Sequence, residues 1–409
     1  MEARVNHLPV LTWNKLKFND EELKYDEGST PVVKLQGELC TDEDDKVVKA
    51  ELPAGVSYRA DVASEEIVKT FEALDTRVKR EFVVAGKVPM YNEQLFITGM
   101  GAEVDRLFEE AGMATDVYEV AENAKIEKPV ILKYDIKKGT NAFNRNYIHV
   151  KKGAEVTFVF LYTGDQADFE ADVTKEEVGK SGIIGGSTRA FIEDGANVHL
   201  VSVQLLDKSF TFFEDFGTIQ GANSELKSTK IDLGAGRVYE GFNANQKGKE
   251  SVFDQKLGFI GEKDSFTDIN YNDVLFGAKT DGVMRFDGAL IDNAYKNWRG
   301  TLDFRQGSIE SSGDEEENVL LFGDSIINKT IPLILCEEEA VDGRHASTLG
   351  KISDDQLFYM QTRGISKKAA EELIVKSSIN FVNSRIPSKE IREAVRERMN
   401  AIFARRIVN

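Results

Sequence analysis

Apolar residues in the middle of the chain recur at every second position rather than at every third or fourth. Five runs alternate in this way: Glu155 to Tyr162, Asn197 to Leu205, Ser224 to Leu233, Ser251 to Ile260 and Ser265 to Phe276. A period of two places one set of side chains on one face, so each run predicts a β-strand. Several begin just after a small-residue corner, at Gly153-Ala154, Gly195-Ala196, Gly221-Ala222 and Gly248-Lys249. The last three corners are 26 and 27 residues apart (195 to 221, 221 to 248). No proline falls between Val130 and Ile331 although the chain has seven, while 23 of its 33 glycines lie there. Central strands need every backbone amide as a donor, which excludes proline. Evenly spaced strands with a loose repeat predict a stacked solenoid or a sandwich. Phe210-Thr-Phe-Phe213 supplies bulk for its core, and Gly182-Ile-Ile-Gly-Gly186-Ser reads as a turn among the strands.

The flanks follow other periods. At the N-terminal side, Thr12 to Leu16 starts a short amphipathic piece and Val32 to Leu39 alternates like a strand. Ser64 to Phe82 carries Ile67, Phe71, Leu74 and Val78 on one helical face, and a second helix is expected from about Ala102 to Gly112. Near the C-terminus, Thr330 to Cys336 is apolar and β-prone, with Pro332 placing it at an edge or a strand start. Val341 to Gly350 then reads as a loop carrying His345. Ser353 followed by Gln356 is a capping box, and Gly364 sits where a left-handed helix end belongs. Further helices are expected from Ser366 to about Arg385, and from Ser388 nearly to Asn409. Residues 385 to 409 hold seven Lys/Arg against three Glu, a basic run that reads as a solvated face or a surface for an acidic partner.

Composition narrows the function. The 409 residues suffice for two or three domains, and the net charge of −18 argues against nucleic acid and against anionic membranes. No apolar run reaches the roughly 18 residues of a membrane span, and MEARVNHLPV lacks the pattern of a secretory signal. Two cysteines fit a reducing compartment, so a cytoplasmic location is expected. Phosphate-binding loops with lysine, Cys-x-x-Cys, His-Glu-x-x-His and Gly-x-Ser-x-Gly are all missing. The acidic runs Asp314 to Glu317 and Glu337 to Glu339 could collect cations, although plain runs rarely converge their oxygens on one ion. Cys336 and His345 remain, and a lone cysteine and a lone histidine nine residues apart are by chemistry alone only weak evidence of a metal site. Cys336 also fits a small buried hydrophobe.

Three stretches near these residues resemble the SufB/SufD family of iron–sulfur cluster assembly proteins. Thr330-Ile331-Pro332 with Leu335 is similar to its T-x-P-x-L-E strand, with leucine where glutamate usually stands. His345 to Gly350 (HASTLG) is similar to H-[GE]-A-T-x-[GS], and Asp355 to Ile365 (DQLFYMQTRGI) to [DE]-Q-[LI]-F-Y-L-x-[SQ]-R-G-I. The resemblance implies a mainly β fold, a right-handed β-helix core between a mixed N-terminal region and a helical C-terminal region. The corresponding boundaries are 1–125, 126–348 and 349–409, the last for ATPase docking. It implies a non-catalytic scaffold that builds and transfers iron–sulfur clusters with a SufC-type ATPase, bound by the C-terminal helices, and a second SufB/SufD-like protomer. His345 would help to hold a transient cluster at the protomer interface; Cys336 matches a cysteine of B-type chains. Glu317 stands where B-type chains carry their principal thiol, Ala346 where an acidic residue follows the histidine, and Gly343 where D-type chains often have cysteine. These departures point to a D-type subunit or a divergent single homologue. Flavin is associated with B-type complexes, but no flavin motif is present. The alternatives are a purely structural partner subunit, or a carbohydrate-active β-helix enzyme using Asp268, Asp273 and Asp281.

Overall fold

The computed structural model of the chain describes residues 2–9, 18–24, 31–63, 66–67, 78–82, 90–94, 98–165, 169 and 173–408. The alternating runs fold into a β-solenoid of two facing sheets. One sheet stacks Val130–Ile136, Glu155–Gly164, Asn197–Leu205, Glu225–Asp232, Val252–Gly261, Asp281–Ile291, Ser312–Phe322 and Asp342–Gly350. The facing sheet stacks Thr115–Val120, Ala142–Val150, Gly182–Ile192, Phe210–Gln220, Arg237–Gln246, Phe266–Leu275, Tyr295–Phe304 and Ile327–Cys336. Each strand pairs in parallel with the strand one rung away, so the chain climbs by alternating between sheets. About eight turns result.

Inward side chains form one continuous core in which Phe216, Phe242 and Tyr271 stack in register from rung to rung. The corners are also in register. Asn123, Gly153, Gly195, Asn223, Glu250, Lys279 and Glu310 all adopt positive φ, and each amide bonds a carbonyl of the next rung. That conformation favours glycine and asparagine, which explains Gly153 and Gly195, whereas Gly221 and Gly248 are small because the neighbouring corner's backbone comes too close for a side chain. At Gly248 the neighbouring corner is so close that an added Cβ would lie 2.0 Å from the backbone of Gly221 and Ala222.

The two ends of the solenoid differ. At the N-terminal end, antiparallel strands finish both sheets: Glu38–Glu43 with Lys46–Lys49 on one, and Val56–Val62 on the other. At the C-terminal end the last strands, Ile327–Cys336 and Asp342–Gly350, have no strand beyond them among the described residues.

Helices and extended segments cover the outer faces. Ala102–Glu110 lies on one sheet, with Phe108 5.2 Å from Phe143 and 5.8 Å from Phe213 between ring centres. Beside it, Asp105 and Asp215 share the buried guanidinium of Arg189. On the other sheet, Lys367–Asn383 and Lys389–Val408 bury Val375, Ile379, Val382, Met399 and Phe403 against Val203, Ile231 and Leu233. The Ser353 and Ser366 hydroxyls cap Asp354–Thr362 and Lys367–Asn383, and Gly364 has φ of 85°, as the sequence predicts.

Several expectations change. Val341–Gly350 is strand rather than loop from Asp342 on, because Ser312–Phe322 supplies a complete parallel partner to a sequence of weak β propensity. Gly182–Gly186 opens a buried strand rather than a turn; its glycines leave space for neighbouring rings, since a Cβ at Gly185 would meet Phe213 at 2.2 Å. Most of the helix expected over Ser64–Phe82 lies outside the described residues, and its end, Val78–Phe82, pairs as a strand with Met90–Gln94. The amphipathic piece at Thr12–Leu16 also lies outside them. The basic run turns toward the solenoid: Arg385 pairs with Asp254, Arg398 donates to the Leu205 and Leu206 carbonyls, and Arg405 pairs with Glu262.

Candidate functional site at the open end of the solenoid

Strand alternation sorts the side chains of the last rungs. In Ser312–Phe322, Glu315, Glu317 and Val319 share the inward face, while Asp314 and Glu316 point out and stay partly solvated. The acidic run Asp314–Glu317 is therefore two surface carboxylates and two core carboxylates. His345 pairs in register with Glu315, and Ser347 with Glu317, so both belong to the inward column of the final strand. Inward is a matter of register only. Among the described residues no rung lies above them, and His345 is exposed.

Cys336 ends the opposite strand, in register with Phe304, and its thiol is exposed. The expectation of a buried small hydrophobe fails there and holds for Cys40 instead. His345 stands three residues into its strand, roughly 10 Å along it at the usual rise per residue. The structure thus brings both predicted ligands to the same open rung without joining them in one ligand set. Among the described residues there is no group of three His, Cys, Asp or Glu placed to hold a metal ion.

Beneath the rung lies a charged knot that the sequence reading missed. Lys296 and Glu317 are fully buried and form an ion pair. Glu317 Oε2 also accepts from Thr330 Oγ1 at 2.8 Å and from Ser347 Oγ at 3.0 Å. One carboxylate therefore ties both end strands to the rung below. Burial pushes the Lys296 ammonium below its ordinary range, and Glu317 opposes that shift. Glu315 is equally buried, and neither of its oxygens has a hydrogen-bond partner; burial drives its carboxyl far above the usual range, with the Glu317 charge adding to the effect. The Trp298 Nε1 donor beside it is likewise unpartnered. The signal for these residues was present in Ser312–Phe322, whose period of two sends alternate glutamates inward once the segment is taken as a strand.

Aromatic residues are exposed close to this end. In the helix Asp354–Thr362, Phe358 and Tyr359 are 68% and 60% accessible, and Leu373 on the next helix is 50% accessible. Such large apolar groups mark a contact surface when they cluster. The aspartates considered for carbohydrate chemistry do not share a face. Asp268 points outward into a buried ion pair with Arg299, Asp273 points inward onto Gln246, and Asp281 on the other sheet accepts from Ser312.

The solenoid thus ends, among the described residues, on a rung that carries an exposed histidine and an exposed cysteine. Residues 134–378 match the family model described as SUF system FeS cluster assembly, SufBD core domain. That is more than half of the chain, which belongs to this family. The chain is 23% identical over 292 residues to the iron–sulfur cluster assembly protein SufD of Bacillus subtilis, covering 70% of this chain and 63% of that protein. A SufBD family protein of Pyrococcus horikoshii is 24% identical over 200 residues, covering 49% and 44%. One from Synechocystis is 21% identical over 277 residues, covering 61% and 58%. The matches thus span less than two thirds of each of these relatives. No helix among the described residues is long and apolar enough to cross a membrane.

Proposed function

We propose that this chain is a non-catalytic scaffold subunit of a SUF-type iron–sulfur cluster assembly complex, working in the cytoplasm. Its open end meets a second SufB/SufD-like protomer, and its C-terminal helices dock a SufC-type ATPase that hydrolyses ATP in their place. The observation that carries this reading is the asymmetry of the solenoid: one end is finished by antiparallel strands, while the other exposes two full-length strands with His345 on their inner column. Exposed strand edges of that length are rarely left bare. Family membership supports the cluster as cargo, and the exposed Phe358 and Tyr359 favour the ATPase contact at the helix Asp354–Thr362. His345 then serves as a cluster ligand at the protomer interface, with the exposed Cys336 thiol nearby for sulfur.

Anaerobic purification with a SufC-type ATPase and a SufB-like protomer tests this. A brown complex whose iron and sulfide fall on His345→Ala supports it. A structure of the complex with His345 away from any protomer interface refutes it. A second reading, a supporting subunit without cluster ligands, is favoured by Glu317: the position of the B-type thiol holds a carboxylate locked to Lys296, Thr330 and Ser347. A stable, colourless complex that tolerates His345→Ala would establish it.

A further inference from the structure

One cleft away from the last rung is cationic in an acidic chain. It lies between two corners of the solenoid and the C-terminal helices, with a volume of about 520 Å³. Lys263 and Asp292 come from the corners, Lys367, Lys368 and Glu371 from the helix Lys367–Asn383, and Arg405 from Lys389–Val408. With Glu262 included, cations still outnumber acids on this wall, although the whole chain carries a net charge of −18. The buried floor repeats the excess. Glu262 is shared by two cations, Lys208 at 3.0 Å and Arg405 at 2.8 Å. Among the described residues, the Arg398 guanidinium beside them donates only to the Leu205 and Leu206 carbonyls and stacks on the Phe169 ring. Asp207 acts on Arg398 from a distance, while its carboxylate accepts from the Ser209 amide and hydroxyl. Burial pushes the Lys208 ammonium down to about 8; Glu262 opposes the shift, and Arg405 and Lys263 add to it. Burial pushes Arg398 down to about 10, and Arg405 again adds to the effect. The Arg405 Nε donor, on a side chain of the cleft wall, is buried without a hydrogen-bond partner. Buried charges are normally paired, so three clustered cations around one carboxylate call for a counter-anion.

Lys367 and Lys368 add two exposed ammonium groups at the rim, neither in an ion pair among the described residues. We propose that this cleft binds the phosphoryl group of a small molecule, either a phosphate ester or a free polyphosphate. Arg405 and Lys263 meet the phosphoryl oxygens from the wall, and Lys367 and Lys368 hold them from the rim. A guanidinium suits paired phosphoryl oxygens, and lysine serves them as a point charge. A phosphoryl group brings close to two negative charges at neutral pH, enough to answer floor and rim together, where a single carboxylate would answer one of them. Pockets for small ligands run from roughly 300 to 1,000 Å³. The cleft falls within that range and leaves room beyond one phosphoryl group for an organic body or further phosphates. It shares no residue with the last rung, and its chemistry owes nothing to the cluster cargo.

The test is a calorimetric titration of the full chain, in EDTA at low ionic strength, with pyrophosphate and separately with adenosine monophosphate. One anion per chain is expected to bind despite the net charge of −18, with affinity that falls as salt is added. Lys367→Ala combined with Lys368→Ala changes two exposed side chains and should weaken binding at least about tenfold. Lys152→Ala combined with Lys249→Ala makes the same charge change at exposed corners elsewhere and should leave affinity unchanged. Glu371→Gln removes an acid from the wall and should tighten binding several-fold, a gain that a damaged fold would not produce. Melting curves without anion confirm that each variant is folded. Tighter binding of pyrophosphate assigns the cleft to a free polyphosphate, and tighter binding of adenosine monophosphate assigns it to an ester. If neither anion binds, or if the Lys367/Lys368 variant binds like wild type, the site is overturned. Equal weakening by the Lys152/Lys249 control also overturns it, because binding would then follow overall charge alone.

Discussion

Replacing Lys296 by methionine isolates the knot under the last rung. The change keeps the aliphatic length and removes the cation, leaving Glu317 with the Thr330 and Ser347 hydroxyls alone. Both partners of the ion pair are fully buried, so solvent cannot replace the lost charge. Breaking a buried pair from one side costs about 3–5 kcal/mol. In a solenoid each rung contacts only its neighbours, so the loss should stay local to the rungs that Glu317 ties together. At about 1.4 kcal/mol per factor of ten, the lower bound corresponds to roughly a hundredfold easier local opening. Native-state hydrogen exchange reads this directly. Amides of Ile327–Cys336 and Asp342–Gly350 should exchange about a hundredfold faster by this arithmetic, while those of Glu155–Gly164 keep their wild-type rates. The double change Lys296→Met with Glu317→Leu should recover most of the protection, because neither residue is then left as a lone buried charge. Unchanged exchange in the two end strands of the single variant would refute the reasoning. So would acceleration spread evenly along the solenoid.

Other parts of the fold can be tested more briefly. Gly248→Ala places a methyl 2.0 Å from the stacked corner backbone, which cannot move aside as a side chain can, so a loss of about 1–3 kcal/mol or more is expected in urea unfolding. Burial pushes the Asp273 carboxyl up to about 7, and Gln246 opposes the shift. Its folded value is raised, so the stability it contributes is fully present below the ordinary carboxylate range and is lost as pH rises through 7. Asp273→Asn should therefore flatten the fall in melting temperature between pH 5 and 8, and an unaltered slope would count against this assignment. Arg398 stacks 3.5 Å from the Phe169 ring centre and donates to two strand-end carbonyls. Arg398→Met should release the last helix to limited proteolysis while the solenoid stays intact, and an unchanged digestion pattern would argue that apolar packing alone holds that helix.

The solenoid was legible because its signals are local: a period of two, glycine at corners, and proline kept out of the ladders. The corner column adds the physical reason, since one backbone conformation repeats at every rung. Asp342–Gly350 was misread because its β character comes from a partner strand and not from its own residues. Gly182–Gly186 failed for a related reason, as glycine there answers the rings of adjacent rungs rather than a bend. At the site, the histidine and the cysteine were singled out by the resemblance of the motifs around them, and the open end by no local signal at all. The buried glutamates follow from the period of two in Ser312–Phe322 only once that segment is taken as a strand, and the partner that Lys296 finds across the core has no local signal.

Under the proposed function, the finished and unfinished ends of the solenoid would also set a stoichiometry. A body that could add strands at both ends would grow head to tail into a fibre. Here the far end is closed to growth: the Lys46–Lys49 edge is short and lysine-flanked, and Val56–Val62 carries an irregularity in its pairing between Arg59 and Val62. Joining at the open end therefore consumes the single growing edge of each participant. On the proposed function, assembly along the solenoid axis would stop at a pair, and whatever is held at the junction would be enclosed once per particle.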